Sequence, residues 1–366
     1  MIRHVLALSS LDNRYGGPST VARSQFEAQL GAGAAVELWT GWVGPKARVI
    51  DGLRTFPTRM LSTNFALLFA PRFVLTAILT IRSVSHHHVH LARDTVTMPI
   101  ALVLALLRLS YTVQPHGMLA PSTSSFRRLF DKFVTRLVLA RAKEVYFLNS
   151  AEAAALQNLG ARASQLHRLG NGVACIDRPS VRHPSSGLPV RVLFAARLHP
   201  RKRVGVFLEA AADLIRGTSG DDWRFMVVGP DEGDLKLVLR SIESESSAGC
   251  LSYGGALEHS QLLKLMRQTD IFVLCSEDEP FGLAALEAMA AGSATVVTEG
   301  TGLTEYQTVE KSIATFDGSA SGLAAAIVNV RREIGTYSRA ALKQASSPEL
   351  NINEIASSLL RRWGGL

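Results

Sequence analysis

The chain alternates short apolar segments with helix-forming segments, and it does so in two series. In the first series the apolar segments predicted as strands cover residues 5–9, 36–40, 89–91, 111–113 and 145–148. In the second series they cover residues 190–194, 224–228 and 271–274. A repeated strand–helix order favours a parallel sheet with helices on its faces. The chain is therefore expected to be an α/β protein built from two doubly wound, Rossmann-like domains.

The stretch between the two series, residues 173–189, contains three prolines, two adjacent serines and a glycine. This composition is typical of an inter-domain linker. The predicted N-terminal domain covers residues 1–172 and the C-terminal domain residues 190–345, while residues 346–366 form a helix that could pack back on the first domain. Ligands of such sheets bind at the carboxyl ends of the strands, so the expected site is a central cleft that the two domains face.

Charge is distributed unevenly along the chain. Residues 1–185 contain 21 Lys and Arg against 9 Asp and Glu, giving +12, and residues 186–366 contain 18 against 22, giving −4; together they make the net +8. A basic first half indicates that this half alone meets an anionic partner. An anionic membrane surface or a phosphorylated acceptor is expected there, and nucleic acid is the weaker alternative.

Other features of the composition bear on localisation. The three cysteines are widely separated and show no metal-site spacing, which favours a reducing compartment. The first nine residues read as a buried strand rather than a signal peptide. The longest apolar runs, 65–81 and 98–107, fall short of the roughly 20 residues that span a bilayer. We expect a cytoplasmic protein, peripheral to the membrane at most.

The most informative motif follows the strand predicted over residues 271–274. Residues 279–292 begin with Glu-Pro-Phe-Gly-Leu and continue as a strong helix sequence up to Gly292. The backbone amides of Phe281, Gly282 and Leu283 have no partner within such a helix, so they can bind a diphosphate or sugar hydroxyls. The alternative is an ordinary capped and buried helix.

Two carboxylates lie in this motif, Glu279 just before the helix and Glu287 two turns into it. A carboxylate can accept two hydroxyl hydrogens at once, so each suits a vicinal diol of a sugar or a ribose. A single internal carboxylate with a structural role is the competing interpretation of Glu287.

A second motif follows the first strand of the C-terminal domain. Arg197 and Lys202 lie in the loop at the carboxyl end of this strand, where phosphates bind in doubly wound sheets. A planar guanidinium and a compact ammonium together suit a diphosphate leaving group. A solvated basic loop would have the same sequence.

The N-terminal domain contributes two further candidates. Gly16 and Gly17 follow the first strand and could offer amides to a phosphate, or form a plain tight turn. His116 follows the strand predicted over residues 111–113 and could bind the donor sugar or stabilise charge, although a lone histidine is often structural. The run of histidines at 86–90 lacks an acidic or cysteine partner and is interpreted as a structural strand, so no metal site is expected.

Taken in order, these motifs resemble glycosyltransferase family 4, whose members have the GT-B fold. The resemblance implies a retaining hexosyl transfer from a nucleotide diphosphate-sugar donor, with no cofactor and no obligatory metal. It implies that Arg197 and Lys202 bind the diphosphate and that Glu287 holds the ribose. It also assigns the remaining residues: Glu279 and the amides of Phe281, Gly282 and Leu283 to the donor sugar and diphosphate, Gly17 beside Gly16 to a phosphate, and His116 to the sugar.

The sequence departs from the family pattern beside the phosphate loop. The family usually has glycine before the arginine and after the lysine, where this chain has Ala196 and Arg203. These changes alter the shape of the loop but remove no charged group. Two alternatives stay open, a nucleotide-sugar epimerase on the same scaffold and a non-catalytic nucleotide-sugar-binding subunit.

The run from His116 to Pro121 resembles family members that build bacterial surface polysaccharides, which implies a lipid-linked or polysaccharide precursor as acceptor. Residues 125–143 are predicted to form an amphipathic helix with an apolar side and a separate basic side. Its apolar side is formed by Phe126, Leu129, Phe130, Phe133 and Leu137, and its basic side by Arg128, Lys132 and Arg136. The basic side predicts salt-sensitive attraction to anionic lipid, or it is simply a solvated face.

Overall fold

A computed structural model describes residues 4–11, 17–42, 51–60, 68–121, 124–174, 180–182, 188–217, 222–244 and 249–364. The chain divides into two compact units. The first comprises Met1–Gly172 together with Ile352–Leu366, and the second comprises Val173–Asn351. The polypeptide thus leaves the first unit and returns to it at its C-terminus.

The first unit is built on a parallel sheet of seven strands in the order β3-β2-β1-β6-β7-β8-β9. Its strands are β1 His4–Ser10, β2 Val36–Trp42, β3 Leu53–Thr55, β6 His86–Val89, β7 Tyr111–Val113, β8 Glu144–Phe147 and β9 Leu166–Arg168. Between β3 and β6 a short antiparallel pair forms from β4 Arg59–Met60 and β5 Leu68–Phe69. Val5, Leu6, Ala7 and Leu8 are all buried, as expected of a strand covered on both faces.

Helices cover this sheet in the order α1 Gly17–Gly31, α2 Pro71–Thr80, α3 Thr97–Leu106, α4 Ser125–Phe130, α5 Arg136–Arg141, α6 Ser150–Asn158 and, from the C-terminus, α13 Ile352–Trp363. Helix α13 packs against α1. Its apolar side chains Ile355, Leu359 and Trp363 join a core cluster with Leu6 and Phe26. Burial of this apolar stripe explains why the C-terminal helix belongs to the first unit.

The strand predicted over residues 89–91 lies earlier in the structure, at His86–Val89. All four of its residues are buried, so the sheet accepts histidines where the hydrophobic pattern alone would not place a strand. The imidazoles of His86 and His88 both contact Thr112 Oγ1, at 3.1 and 2.8 Å. Hydrogen bonding of this kind offsets the cost of burying a polar ring.

The helix predicted over residues 125–143 forms as α4, one turn of π-helix at Asp131–Thr135 and α5. Three residues of its expected apolar side, Phe126, Leu129 and Phe133, are exposed, whereas Phe130 packs against the core. Further core contacts come from Val134, Thr135, Val138 and Leu139, and the buried carboxylate of Asp131 pairs with Arg93 at 2.9 Å. The Asp131–Arg93 ion pair and the π turn set the orientation of the helix. The prediction assumed a regular α-helix of 3.6 residues per turn and did not include them.

The second unit contains a parallel sheet of six strands in the order β12-β11-β10-β13-β14-β15. Its strands are β10 Val190–Ala195, β11 Trp223–Val228, β12 Leu251–Tyr253, β13 Ile271–Leu274, β14 Ala294–Thr298 and β15 Ala314–Phe316. The strand predictions for β10, β11 and β13 are confirmed to within one residue.

Within the described residues, the helices of this unit are α7 Val204–Arg216, α8 Leu235–Ser244, α9 His259–Met266, α10 Leu283–Ala290, α11 Ala320–Arg332 and α12 Ile334–Ala345. Helix α10 is almost entirely buried, in keeping with its alanine-rich sequence. It ends at Ala290 with Ala291 as its C-cap, and Gly292 follows with φ of 85°, a left-handed conformation that glycine adopts without strain. Across the described ranges, no helix is both long and apolar enough to cross a bilayer.

Candidate active site

The loop after β10 holds both cations of the predicted diphosphate site. Leu198 is fully buried between them, and its amide donates to the carbonyl of Pro230 at 2.8 Å, which fixes this loop to the one after β11. A short 3₁₀ turn at Pro200–Lys202 then leads into α7. The guanidinium of Arg197 and the ammonium of Lys202 therefore emerge at the carboxyl end of a central strand, where the sequence places them.

Arg203, the residue after Lys202, has a left-handed backbone conformation. The residue has φ of 54° and ψ of 44°, the left-handed conformation that costs an ordinary side chain about 1–2 kcal/mol. Its guanidinium donates to the carbonyl of Gly318 at 2.8 Å, which partly offsets this cost. An arginine thus adopts here a backbone conformation that glycine would adopt without strain.

Lys202 and Glu279, which the family resemblance assigns to one donor site, lie close together in the structure. Strands β10 and β13 pair directly, and the amide of Glu277 donates to the carbonyl of Arg201 at 2.9 Å. The ammonium of Lys202 lies 2.5 Å from Oε2 of Glu279, and both side chains are largely shielded from solvent. An ammonium for a phosphate and a carboxylate for sugar hydroxyls are therefore adjacent.

Arg197 has a partner that sequence reasoning missed. Its guanidinium lies 3.0 Å from each carboxylate oxygen of Glu232, in the loop after β11. Because β11 neighbours β10 in the sheet, the ends of both strands meet at one edge. The sequence signal was available, since Glu232 lies shortly after a predicted strand, but the strand order was needed to pair it with Arg197.

The N-terminus of α10 adjoins Glu279. Gly282 precedes the helix with φ of 95°, and no side chain caps the helix there. The buried ring of Phe281 stacks edge-on against Tyr306 at 5.3 Å, which anchors the turn. A β-carbon on Gly282 would lie 3.1 Å from Leu274 and 3.2 Å from Thr301, so any other residue would have to displace these side chains and adopt a strained positive φ. The amides of Phe281, Gly282 and Leu283 are accordingly grouped at one helix start.

Glu287 lies one helical repeat further along and is mostly buried, with 10 % of its side chain exposed. Its Oε1 is 2.8 Å from Nε2 of His259, the first residue of α9. This hydrogen bond with the carboxylate raises the pKa of His259 above its ordinary value. His259 is a second residue that sequence reasoning missed, because the contact depends on how α9 packs against α10.

In the first unit, His116 follows β7 in a left-handed conformation with φ of 54°. Its ring is only 8 % exposed, and its Nε2 lies 2.8 Å from Nδ1 of His90. Burial lowers the pKa of His116 to about 3, so the ring is neutral at physiological pH. The backbone beside it is held by Glu152, whose carboxylate accepts from the amides of Gly117 at 2.6 Å and Leu148 at 2.7 Å.

The predicted phosphate turn is only partly described. Gly17 begins α1, and a β-carbon placed on it would meet no atom within 4 Å. Its amide thus belongs to the first turn of the helix that follows β1. Gly16 lies outside the described residues. No group of three or more potential metal ligands occurs among the residues that the structure describes.

Two family models match the chain. The model described as "Glycosyl transferase 4-like domain" matches residues 16–172, and the model described as "Glycosyl transferases group 1" matches residues 181–332. The chain belongs to the GT-B glycosyltransferases of the family 4 type. The resemblance seen in the motifs is thereby confirmed, as is the fold class.

Individual relatives of this glycosyltransferase agree with that assignment. The glycogen synthase of Mycobacterium tuberculosis is 30% identical over 173 residues, which are 47% of this chain and 41% of the relative. The amylovoran biosynthesis glycosyltransferase AmsK of Erwinia amylovora is 28% identical over 152 residues, 39% of this chain and 36% of the relative. The chain thus spans less than half the length of the curated relatives it matches.

Among solved structures, HepE of Anabaena in complex with UDP-glucose superposes with a TM-score of 0.74 at 17% identity and covers 100% of both chains. At this identity the likeness establishes the GT-B fold alone.

Proposed function

We propose that this glycosyltransferase transfers a hexose from a nucleotide diphosphate donor to an acceptor with retention of anomeric configuration. The observation that carries the proposal is the grouping of Lys202, Glu279 and the start of α10 at the carboxyl edge of one sheet. UDP-glucose, the ligand of the HepE structure, is the first donor to test.

Each residue has a distinct part in the proposed reaction. Arg197 and Lys202 bind the diphosphate and stabilise the negative charge that develops on it as the glycosidic bond breaks. Oε2 of Glu279 contacts Lys202, and the second carboxylate oxygen accepts from sugar hydroxyls. Glu287 accepts from the ribose hydroxyls, and the amides at the start of α10 donate to the phosphate and sugar.

Retention then follows from attack on the face that the leaving group occupies, with the departing phosphate oxygen taking the acceptor proton. A double displacement would need a free carboxylate nucleophile below the anomeric carbon. Glu279 is paired with Lys202 and Glu287 with His259, and in the proposed reaction each also binds hydroxyls of the donor, which leaves neither as the nucleophile.

We further propose that transfer needs no metal, because two cationic side chains and the helix amides supply the positive potential. Transfer rates should be equal in chelator and in added divalent ion. Activity that disappears in chelator and returns only with the ion would contradict this part of the proposal.

The proposed acceptor is a lipid-linked or polysaccharide precursor, reached by peripheral contact of the basic first unit with an anionic membrane. The relative AmsK, which carries amylovoran biosynthesis in its name, supports an acceptor of the polysaccharide type.

A thermal-shift screen against a panel of nucleotide-sugars tests donor binding. A donor present at 100 times its dissociation constant should stabilise the protein by about 2.7 kcal/mol. The Glu287→Ala variant should lose this stabilisation, whereas a panel that leaves the wild type unchanged would remove the proposed donor class.

A further inference from the structure

The solvent-facing side of the helical segment 125–141 carries large apolar side chains. Phe126 is 77 % exposed, Leu129 58 % and Phe133 63 %. Their spacing of three and then four residues places them along one side of the helix, which we term the Phe126 face. Three adjacent apolar side chains left in water on one helix indicate a surface that a partner covers.

The surroundings of the Phe126 face are basic. Arg127, Arg128, Lys132 and Arg136 are all exposed on the same segment, and the ammonium of Lys132 lies 5.8 Å from the centre of the Phe133 ring. Asp131 is the one acidic residue of the sequence between 125 and 143, and it is buried against Arg93. No negative charge of this segment therefore offsets the basic side chains at its surface.

We propose that the Phe126 face is a membrane-docking surface that inserts its apolar side chains among the acyl chains of an anionic bilayer. Apolar residues flanked by arginine and lysine fit the boundary between lipid headgroups and acyl chains, where the cations meet the phosphates. A second copy of this chain fits poorly, because pairing two such faces would bring like charges together.

This inference deepens the membrane contact proposed above and rests on it, but it is independent of the donor chemistry. It changes the expected salt dependence. Attraction through charge alone disappears at high salt, because exposed charges are screened within about 8 Å at physiological ionic strength and less at higher salt. Insertion of three apolar side chains adds a component that persists in high salt.

The first experiment is flotation of the full chain with vesicles of phosphatidylcholine alone and of phosphatidylcholine with phosphatidylglycerol. The wild type should float with the anionic vesicles. It should retain part of this binding in about 0.5 M salt, an ionic strength that suppresses interactions between exposed charges. The triple variant F126S/L129S/F133S should bind anionic vesicles about tenfold more weakly or worse. Loss of a single buried apolar side chain is enough for roughly this effect. The variant K132Q/R136Q should lose the salt-sensitive part only.

The matched control is L75S/L79S on α2, where the two leucines are 57 % and 75 % exposed. It removes two exposed apolar side chains from the same unit and should leave flotation unchanged. An equal loss of flotation in the triple variant and in L75S/L79S would show general hydrophobic adhesion. It would overturn the assignment of the Phe126 face.

A second measurement reports contact directly. The tryptophan fluorescence of the F126W variant should be quenched by brominated acyl chains in anionic vesicles.

All replaced side chains are exposed, so the thermal unfolding and the donor-induced stabilisation of these variants should match those of the wild type. These two controls separate this inference from the proposed function. Absence of quenching, or flotation of the triple variant equal to wild type, would overturn the proposal. So would a dimer in light scattering that the triple variant abolishes while the wild type fails to float.

Discussion

Lys202 is the side chain on which the proposed chemistry most depends. It lies 2.5 Å from Glu279 and is positioned by a hydrogen bond from its own amide to His199. A charge that meets the leaving diphosphate contributes most in the transition state, where that diphosphate gains negative charge.

The Lys202→Ala variant should therefore lower kcat about 100–1,000-fold, with a smaller change in donor affinity. Steady-state kinetics on purified variants measures both. Lys236→Ala, which removes an exposed lysine from α8 of the same unit, is the control and should behave as wild type. If Lys202→Ala changes only the KM for the donor, the lysine binds the donor without assisting departure of the diphosphate.

Glu287 should behave in the opposite way. Its proposed ribose contact is similar in the ground and transition states, so its loss weakens donor binding without slowing the chemical step. Glu287→Ala is expected to raise the donor KM at nearly constant kcat. A large fall in kcat would assign this carboxylate to the reaction itself.

At the scale of elements, the loops after β10 and β11 depend on a close approach of two backbones. Gly229 has φ of 145°, and a β-carbon there would lie 1.7 Å from the carbonyl oxygen of Ala196. The neighbouring Gly233 also has a positive φ, 128°, but a β-carbon there would meet nothing within 4 Å.

These two glycines provide a matched pair. Gly229→Ala should lower the free energy of unfolding by about 3 kcal/mol or more, because conformational strain and the backbone clash add. Gly233→Ala should cost about 1–2 kcal/mol for the conformation alone. Urea unfolding of both variants checks the difference, and equal costs would show that the loops can separate freely.

The sequence predicted the elements that carry the site better than the contacts within it. The ends of β10 and β13 and the start of α10 were predictable from hydrophobic periodicity and glycine placement. A common donor site for Lys202 and Glu279 was implied by the family resemblance alone. The pairing of Arg197 with Glu232 was not, because it follows from the order of strands in the sheet. The contact between His259 and Glu287 depends on the packing of two helices, which no local pattern encodes.

The first unit shows the same limit. The histidine run was expected to form a strand, and His86, His87 and His88 do lie in β6, but their contacts with the C-terminal helix were not anticipated. The ring of Trp363 lies 4.8 Å from that of His86 and 5.1 Å from that of His88. These side chains meet only because residues 352–366 return to the first unit.

At the scale of the whole molecule, this buried histidine cluster should make the first unit sensitive to acid. Burial lowers the pKa of His86 to about 2 and of His88 and His116 to about 3. The unfolded chain, with pKa values near 6.5, binds these protons first. The contribution of these neutral histidines to the free energy of unfolding is therefore fully present above about pH 6.5. It falls as the pH drops below that value, by up to about 2 kcal/mol per histidine at pH 5.

Thermal unfolding followed by circular dichroism between pH 7.5 and 5 measures this loss. His88→Gln should flatten the dependence of Tm on pH, whereas His199→Gln, at an exposed position of the second unit, should not. An equal slope in the His88 variant would show that the cluster does not control the acid response.

The anomeric configuration of the product is the most direct test of the proposed reaction. The measurement is transfer from the donor found by thermal shift, with the anomeric centre of the product assigned by NMR. The account predicts the same anomeric configuration in donor and product, with no covalent sugar on the enzyme. An inverted product, or a glycosyl adduct trapped on Glu279, would contradict it.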